Sequence, residues 1–392
     1  MPASDLVDVL VAGAGAAGLS LAARLARQTS LRVTVIDPRD GPSDDRTFCF
    51  FRGRAHPFEA AIARRYATVE VRDARRVVRA SLDTRPYEEL PGLAFAELAL
   101  AQIGASDRVR VRWGVSLRTF VERADRVEVD ASDGTHVARI LVDARGGRTL
   151  THTAETADEV RWLQHFVGHV VRTERPIFEP SVATLMDFDV SQEDGPHFVY
   201  VLPTGPHEAL VEDTYFSSAR FSRAHYEANL QAWLSTRGAR AHEVLRREQG
   251  AIPMTTAPQA RAASGRVVVI GQRGGAAKAS SGYAFQFIQR QCDALTAWLR
   301  EHGAGRAVAY LPPRSRVATF FDRVMLSYLH DHPTQAPQVF VPLFASVPGD
   351  ALARFLSEEG TALDHARVMA AVPMAGVLSQ ALRTTHLWTR SR

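Results

Sequence analysis

The stretch Val7-Asp-Val-Leu-Val-Ala-Gly13-Ala-Gly15-Ala-Ala-Gly18, running on through Ala- and Leu-rich sequence to about Gln28, decides the fold. Val7–Ala12 reads as a buried strand and the segment after the glycines as a helix. A second strand, Arg32–Ile36, ends at Asp37, 19 residues after Gly18. Each glycine has a task in such a unit. Gly13 makes a tight turn, Gly15 lets backbone approach a pyrophosphate, and Gly18 lets the helix pack on the strand. The helix N-terminus faces the phosphates, and Asp37 accepts from ribose hydroxyls. This is a dinucleotide-binding βαβ unit; the alternative is a small-residue helix packed on a sheet.

Two later segments select the dinucleotide. Arg139–Ala144 runs into Arg145-Gly146-Gly147, and Arg266–Ile270 runs into Gly271-Gln272-Arg273-Gly274-Gly275. Flavoproteins of the large FAD-binding class return to the sheet in this way, once in mid-chain and once late, whereas a nicotinamide-only dehydrogenase has no need of the late return. Between the returns, Leu163–Arg172, Val182–Phe188, His197–Pro203 and Glu208–Phe216 are short β-branched and aromatic runs separated by Pro, Gly and Asp, which predicts an antiparallel sheet. From Leu311 onward the pattern is helical, over Phe320–Leu329, Asp350–Glu358 and Leu363–Ala371, with Phe340–Val347 and Val372–Val377 strongly apolar. The expected class is α/β: a Rossmann-type, hydroxylase-like FAD fold with an antiparallel substrate-side sheet and a helical C-terminal part. The expected division is 1–75, 95–155 and 258–303 for FAD, 76–94 and 156–257 for the substrate-side sheet, and 304–392 for the helical part that faces substrate and membrane.

Composition narrows the function. At 392 residues the chain makes two to three domains or one large composite one. Its 46% apolar and 23% charged residues exclude general disorder. A net charge of +4 with no block of like charge argues against a nucleic-acid binder and tolerates anionic lipid. Cys49 and Cys292 are too few for a disulfide framework or a cysteine zinc site, so a reducing cytoplasm is expected. Met1–Asp8 lacks a basic n-region, so a secretory signal is not expected. No apolar run reaches the roughly 18 residues of a spanning helix; Val9–Ala23 and Val368–Leu382 are both interrupted. The chain is expected not to span a bilayer, though it is free to lie on one.

The candidate chemistry lies in two places. In Val211-Glu212-Asp213-Thr214, strand alternation puts Leu210, Glu212 and Thr214 on one face and Val211, Asp213 and Tyr215 on the other. The plain reading is one acid in a buried hydrogen bond or ion pair and the other in solvent. The functional reading is a carboxyl in a greasy pocket, kept protonated as a general acid. The second place is Gly271–Phe287, a glycine-dense loop running into a helix, able to approach a flavin closely. Lys278, the only lysine in the sequence, either touches flavin or phosphate there or is a solvated loop residue. Cys292 falls at core spacing with Ile288, Leu295 and Leu299. His330 and His332 lack a third ligand, so no metal site is expected; His165 and His169 read as packed or surface residues.

Together the segments resemble the bacterial lycopene β-cyclases, FAD-dependent non-redox carotenoid cyclases. The resemblance spans most of the chain and is carried by the fingerprint with Asp37, Asp45-Arg-Thr-Phe-Cys-Phe50, Gln164-His-Phe-Val-Gly168, Leu185-Met-Asp-Phe188, Phe198-Val-Tyr-Val-Leu-Pro203 and Ala209–Phe216. It continues in Gln249–Met254, Ser281-Gly-Tyr-Ala-Phe285, Phe321-Asp-Arg323 and Arg367-Val-Met-Ala370. It implies reduced FAD with NADPH as reductant, and FAD contacts at Gly13, Gly15, Gly18, Asp37, Arg46, Gly271, Gly274, Gly275, Ser281 and Gly282. The family's acidic strand motif maps onto Glu212 and Asp213, with Glu212 as proton donor. A hydrophobic polyene substrate implies peripheral contact with the inner face of the cytoplasmic membrane. Phe48 replaces a common Trp, Ala279 a common Pro, and His165, His169 and His207 are unexpected; these departures point to a reshaped tunnel and keep another prenyl polyene open as substrate. A flavin monooxygenase is the rival, but it usually carries an Asp where this chain has Gln272-Arg273. A halogenase needs a Trp-x-Trp pair that is missing, and a non-catalytic polyene carrier would not need the strand acids.

Overall fold

The computed structural model describes residues 6–146, 159–257, 264–309 and 314–372. Val9, Leu10 and Val11 are wholly buried, as the central strand of a sheet covered on both faces requires. That strand, Val7–Ala12, lies between Val33–Asp37 and Gly134–Asp143, parallel to both. Val109–Trp113 extends the parallel part on one side and Val267–Val269 on the other, while an antiparallel hairpin, Val127–Ala131 with Leu117–Glu122, completes seven strands. The helices Ala16–Gln28, Gly92–Gly104 and Phe285–His302 pack into one core with this sheet. Gly18 is obligatory at the helix–strand contact, since a Cβ there would lie 1.8 Å from the Gly13 carbonyl oxygen. Cys292 is fully buried in this core, at the spacing its helix predicts.

The second sheet also has seven strands, ordered His242–Thr255, Arg161–Thr173, Glu208–Ser217, His197–Pro203, Val182–Asp187, Thr68–Arg72 and Val77–Ser81. It departs from the expected antiparallel pattern at one place, where Val182–Asp187 runs parallel to Thr68–Arg72. The chain therefore reaches this sheet at Thr68, inside the 1–75 segment expected to belong wholly to the FAD layer. A small three-stranded sheet, Thr47–Phe51, Tyr87–Pro91 and Arg64–Tyr66, joins the two layers. Its adjacent residues Phe50 and Phe51 enter different cores, by the two-residue alternation of a strand.

The helix Arg223–Thr236, capped by Ser222, covers the outer face of the second sheet. Helices Arg316–Asp331, Ala336–Ser346, Gly349–Leu356 and Ala362–Ala371 cover the inner face. The apolar run Phe340–Val347 turns inward, with Val341, Leu343 and Phe344 buried, and so is core. Gly147 and residues 373–377 of the second apolar run lie outside the described residues. No described helix is long and apolar enough to cross a membrane.

Candidate functional site

A cavity of about 1120 Å³ lies between the two layers, beyond the usual size of a pocket for one small ligand. Gly13, Gly15, Asp37, Arg46 and Gly271 line one part of it, and Ser281, Gly282 and Gln164 another. The rest is greasy. The second sheet contributes Leu185, Phe198, Leu210 and Phe216, and the C-terminal helices contribute Leu343, Phe344 and Val368.

The nucleotide part has the features a dinucleotide needs. Gly13 has φ +108°, and a Cβ on it would press within 2.8 Å of the Ala144 oxygen. Gly15 has nothing within 4 Å of its Cβ position and faces the cavity, so backbone is open to a phosphate there. Asp37 Oδ2 accepts from the Ala14 N–H at 2.7 Å, and Oδ1 accepts from Arg39 Nε at 2.8 Å. Burial pushes this carboxyl up, but the bonds from Arg39 and Ala14 outweigh it and hold it below the usual range. On the far side of the central strand, Arg145 and Arg273 pair with Asp143, at 2.8 and 3.1 Å. Farther along, Ser281 Oγ and Gln164 Oε1 are buried without hydrogen-bond partners, and both residues line the cavity. Gly282, at φ +72°, leaves no room for a side chain against Gln164. Orphaned polar atoms beside an open backbone cradle fit a ring system with polar edges, such as a flavin. Gly18 and Gly274 act by packing instead, since a Cβ on Gly274 would lie 2.5 Å from the Val269 oxygen; Gly275, at φ +75°, shapes the turn.

On the sheet side, the Glu208–Ser217 strand splits as alternation demands: Leu210, Glu212, Thr214 and Phe216 face the cavity. Glu212 is 8% exposed and stands across from Tyr200 on one neighbouring strand and Gly168 on the other. Gly168 in turn stands opposite Glu248. A Cβ on Gly168 would come within 2.8 Å of Glu212 Cγ and 3.2 Å of Glu248 Cγ, so this glycine is what lets the two carboxyls meet. Glu248 Oε2 pairs with Arg246 Nη1 at 2.8 Å and accepts from Thr47 Oγ1 at 3.0 Å. Burial, then the neighbouring Glu248 charge, pushes the Glu212 carboxyl well above its ordinary value, with Arg246 opposing. Glu248, Arg246 and Thr47 were not singled out from sequence, and none of them is close to Glu212 along the chain.

Asp213 faces the other way and is fully buried, so neither acid of the motif is in solvent. Its Oδ1 lies 2.5 Å from His197 Nε2, and its Oδ2 accepts from Asn229 Nδ2 at 3.0 Å. His197 Nδ1 lies 2.8 Å from the Ser191 carbonyl, which can only accept. A proton therefore lies between Nε2 and Oδ1 as well. Tyr215 stacks on His197 at 3.9 Å and accepts from Asn229, while Tyr226 donates to His165 Nδ1 at 2.7 Å. This polar layer fastens the Arg223–Thr236 helix to the sheet and does not reach the cavity.

Lys278 is neither solvated nor aimed at the cofactor part. It is 2% exposed and paired with Asp322 at 2.5 Å, with Glu358 at 3.8 Å and Arg314 closing the cluster on both acids. This clasp ties the late glycine loop to the C-terminal helices. Of the departures noted in sequence, only Phe48 lines the cavity; Ala279, His165, His169 and His207 lie off it. His56, Glu59 and Glu88 also come together. His56 Nδ1 accepts from the Phe58 N–H, which leaves Nε2 protonated and unable to ligate in the neutral ring, and Arg65 occupies both carboxylates.

A family model described as "Lycopene cyclase protein" matches residues 8–382. The lycopene beta-cyclase of Paracoccus sp. is 31% identical over 309 residues, covering 73% of this chain and 72% of that protein. That of Pantoea ananas is 27% identical over 394 residues, covering 97% and 98%. Among solved structures, a flavoprotein/dehydrogenase from Cytophaga hutchinsonii superposes with TM-score 0.64 at 13% identity over 98% of this chain and 100% of that one. A geranylgeranyl bacteriochlorophyll reductase-like protein from Thermoplasma acidophilum gives 0.63 at 12% identity, over 95% and 98%. These two establish the fold, that of flavoproteins.

Proposed function

The chain belongs to the lycopene cyclase family, and from that premise we propose that it closes terminal rings on a linear polyene, converting lycopene to β-carotene by way of γ-carotene. The observation that carries this reading is Glu212: an acid facing an apolar cavity, held protonated, with Phe198, Leu210 and Phe216 along the same wall. Glu212 protonates the terminal double bond. The tertiary cation is attacked by the neighbouring alkene, and a ring proton is then lost. Proton gain and loss cancel, so the reaction is an isomerisation. The greasy walls exclude the water that would trap the cation as an alcohol.

FAD is the cofactor that fits. Gly13, Gly15, Asp37, Arg46 and Gly271 would hold its nucleotide part, and Ser281, Gly282 and Gln164 the ring end. Reduced with electrons from NADPH, it would supply negative charge to stabilise a developing cation in a site of low dielectric. The substrate lives in the bilayer, which puts the enzyme on the inner face of the membrane as a peripheral protein. Val317 and Leu363, 54% and 58% exposed on the C-terminal helices, are the side chains that would meet it.

The test is anaerobic incubation of the protein with FAD, limiting NADPH and lycopene in liposomes, followed by chromatography. Cyclic product in excess of NADPH is expected. If lycopene is untouched while other prenyl polyenes are cyclised, the substrate assignment fails. NADPH consumption that requires oxygen and substrate would instead make the chain a monooxygenase.

A further inference from the structure

The two carboxyls that meet beside Gly168 are not equivalent. Glu248 carries an ion pair from Arg246 and a hydrogen bond from Thr47, whereas Glu212 has no basic partner among the described residues and shares a hydrogen bond with Glu248. Only Glu212 lines the cavity. Arg246 is fixed in turn, donating to Thr47 Oγ1 at 3.2 Å and pairing with Asp44 at 3.5 Å.

The surroundings add little charge that could reverse this asymmetry. Just before the small joining sheet, Arg46 is paired with Asp45 at 2.7 Å, and within the sheet Cys49 and Tyr87 are neutral. Glu89, on the same sheet with Arg64 alongside, is pushed up by burial and accepts from Tyr66. Tyr200, across from Glu212, is a neutral phenol, and the Arg161–Thr173 strand offers Gly168 opposite it and the uncharged Gln164 and Phe166 along the cavity.

Taking Glu212 as the acid, as proposed above, we infer that Glu248 is a positioning residue: held as a carboxylate by Arg246 and Thr47, it assigns the single proton of the pair to Glu212. In each cycle the Glu212 O–H bond breaks as a C–H bond forms at the end of the polyene. Glu212 is then left as a carboxylate facing the cation with the Glu248 carboxyl group behind it, an arrangement that attracts the cation and favours recovery of one proton when the ring sheds its own. No electrons are exchanged, and the proton count closes.

The experiment uses E248Q, which keeps size and the means to hydrogen-bond Thr47, and the double variant R246Q/E248Q. In E248Q, Arg246 is left facing Glu212 with no intervening negative charge. Glu212 then ionises at neutral pH, and the alkaline limb of the turnover profile moves to acid by at least about one pH unit, a tenfold loss at a fixed pH on that limb. Removing Arg246 as well moves the limb back toward wild type. Infrared difference spectroscopy between wild type and E212Q reads the same proton without substrate: its protonated-carboxyl band is lost from E248Q at neutral pH and returns in the double variant. A band and limb unchanged in E248Q, a loss of rate that is uniform across pH, or a double variant no different from E248Q would each overturn the inference. A chain that turns over no polyene yet shows the band pattern would refute the cyclase reading and leave the pair standing.

Discussion

Glu212 and Asp213 are neighbours on one strand, both buried, and they face opposite worlds. The Glu212 side is a cavity walled by Phe198, Leu210 and Phe216, where the carboxyl meets another carboxyl. The Asp213 side is a dense polar layer in which His197 and Asn229 satisfy both oxygens and Tyr215 and Tyr226 extend the network. Depth is nearly the same, 8% and 0% exposed. Burial does not by itself make an acid reactive; the inventory of partners on each face does. One acid is left facing the cavity without a basic partner of its own among the described residues, and the other is locked into scaffolding.

The sharpest way to break the comparison is to remove each carboxyl in turn. E212Q is expected to lose at least about a thousandfold in turnover, within the range for a general acid, while its flavin absorbance stays at wild-type level. D213N should retain turnover within about tenfold but unfold earlier. Leaving His197 without its partner costs about 1–3 kcal/mol, which is a few degrees in melting temperature for a chain this size. Loss of activity in D213N at an unchanged melting temperature would erase the distinction between the faces.

A smaller effect sharpens it from the stability side. The raised Glu212 carboxyl holds a proton that the unfolded chain releases, so this group costs stability progressively as pH rises above its ordinary value of 4.5. E212Q should therefore melt higher than wild type at pH 8, with the advantage shrinking toward pH 4; an advantage that grows toward acid would contradict the assignment.

The smallest effect comes from the rear layer and has the opposite sign. Burial lowers His165 from 6.5 to about 4, so the folded chain resists a proton that the unfolded chain takes up, and stability is lost as pH falls from 6.5 toward 4. His165→Gln, monitored by melting temperature across that window, should flatten the loss slightly.

Much of this was legible in the sequence where the signal is local. Val7–Ala12 and His197–Pro203 fall where the apolar runs place them, and strand alternation put Glu212 and Asp213 on opposite faces. What escaped is long-range. Glu248 lies in a strand interrupted by Gly250 and Pro253, and its meeting with Glu212 depends on two antiparallel registers that both pass through Gly168. Arg246 and Glu248, two apart and on one face, were the available hint. Lys278 gave no sign of its partners because Asp322 and Glu358 are 44 and 80 residues away, the first on the helix Arg316–Asp331 and the second in the turn after Gly349–Leu356. The apolar content of Phe340–Val347 was visible, but not its direction, since a run with no polar face looks alike whether it meets a core or a lipid.

The solitary lysine also gives the chain a built-in reporter. An amine-reactive label has one ε-amino group to find, and the Asp322–Glu358 clasp holds it shut away from solvent. Label enters only when the late glycine loop parts from the C-terminal helices and the amine is briefly freed. The rate of modification therefore times that separation, and its change on adding polyene tells whether substrate locks the clasp or pries it apart.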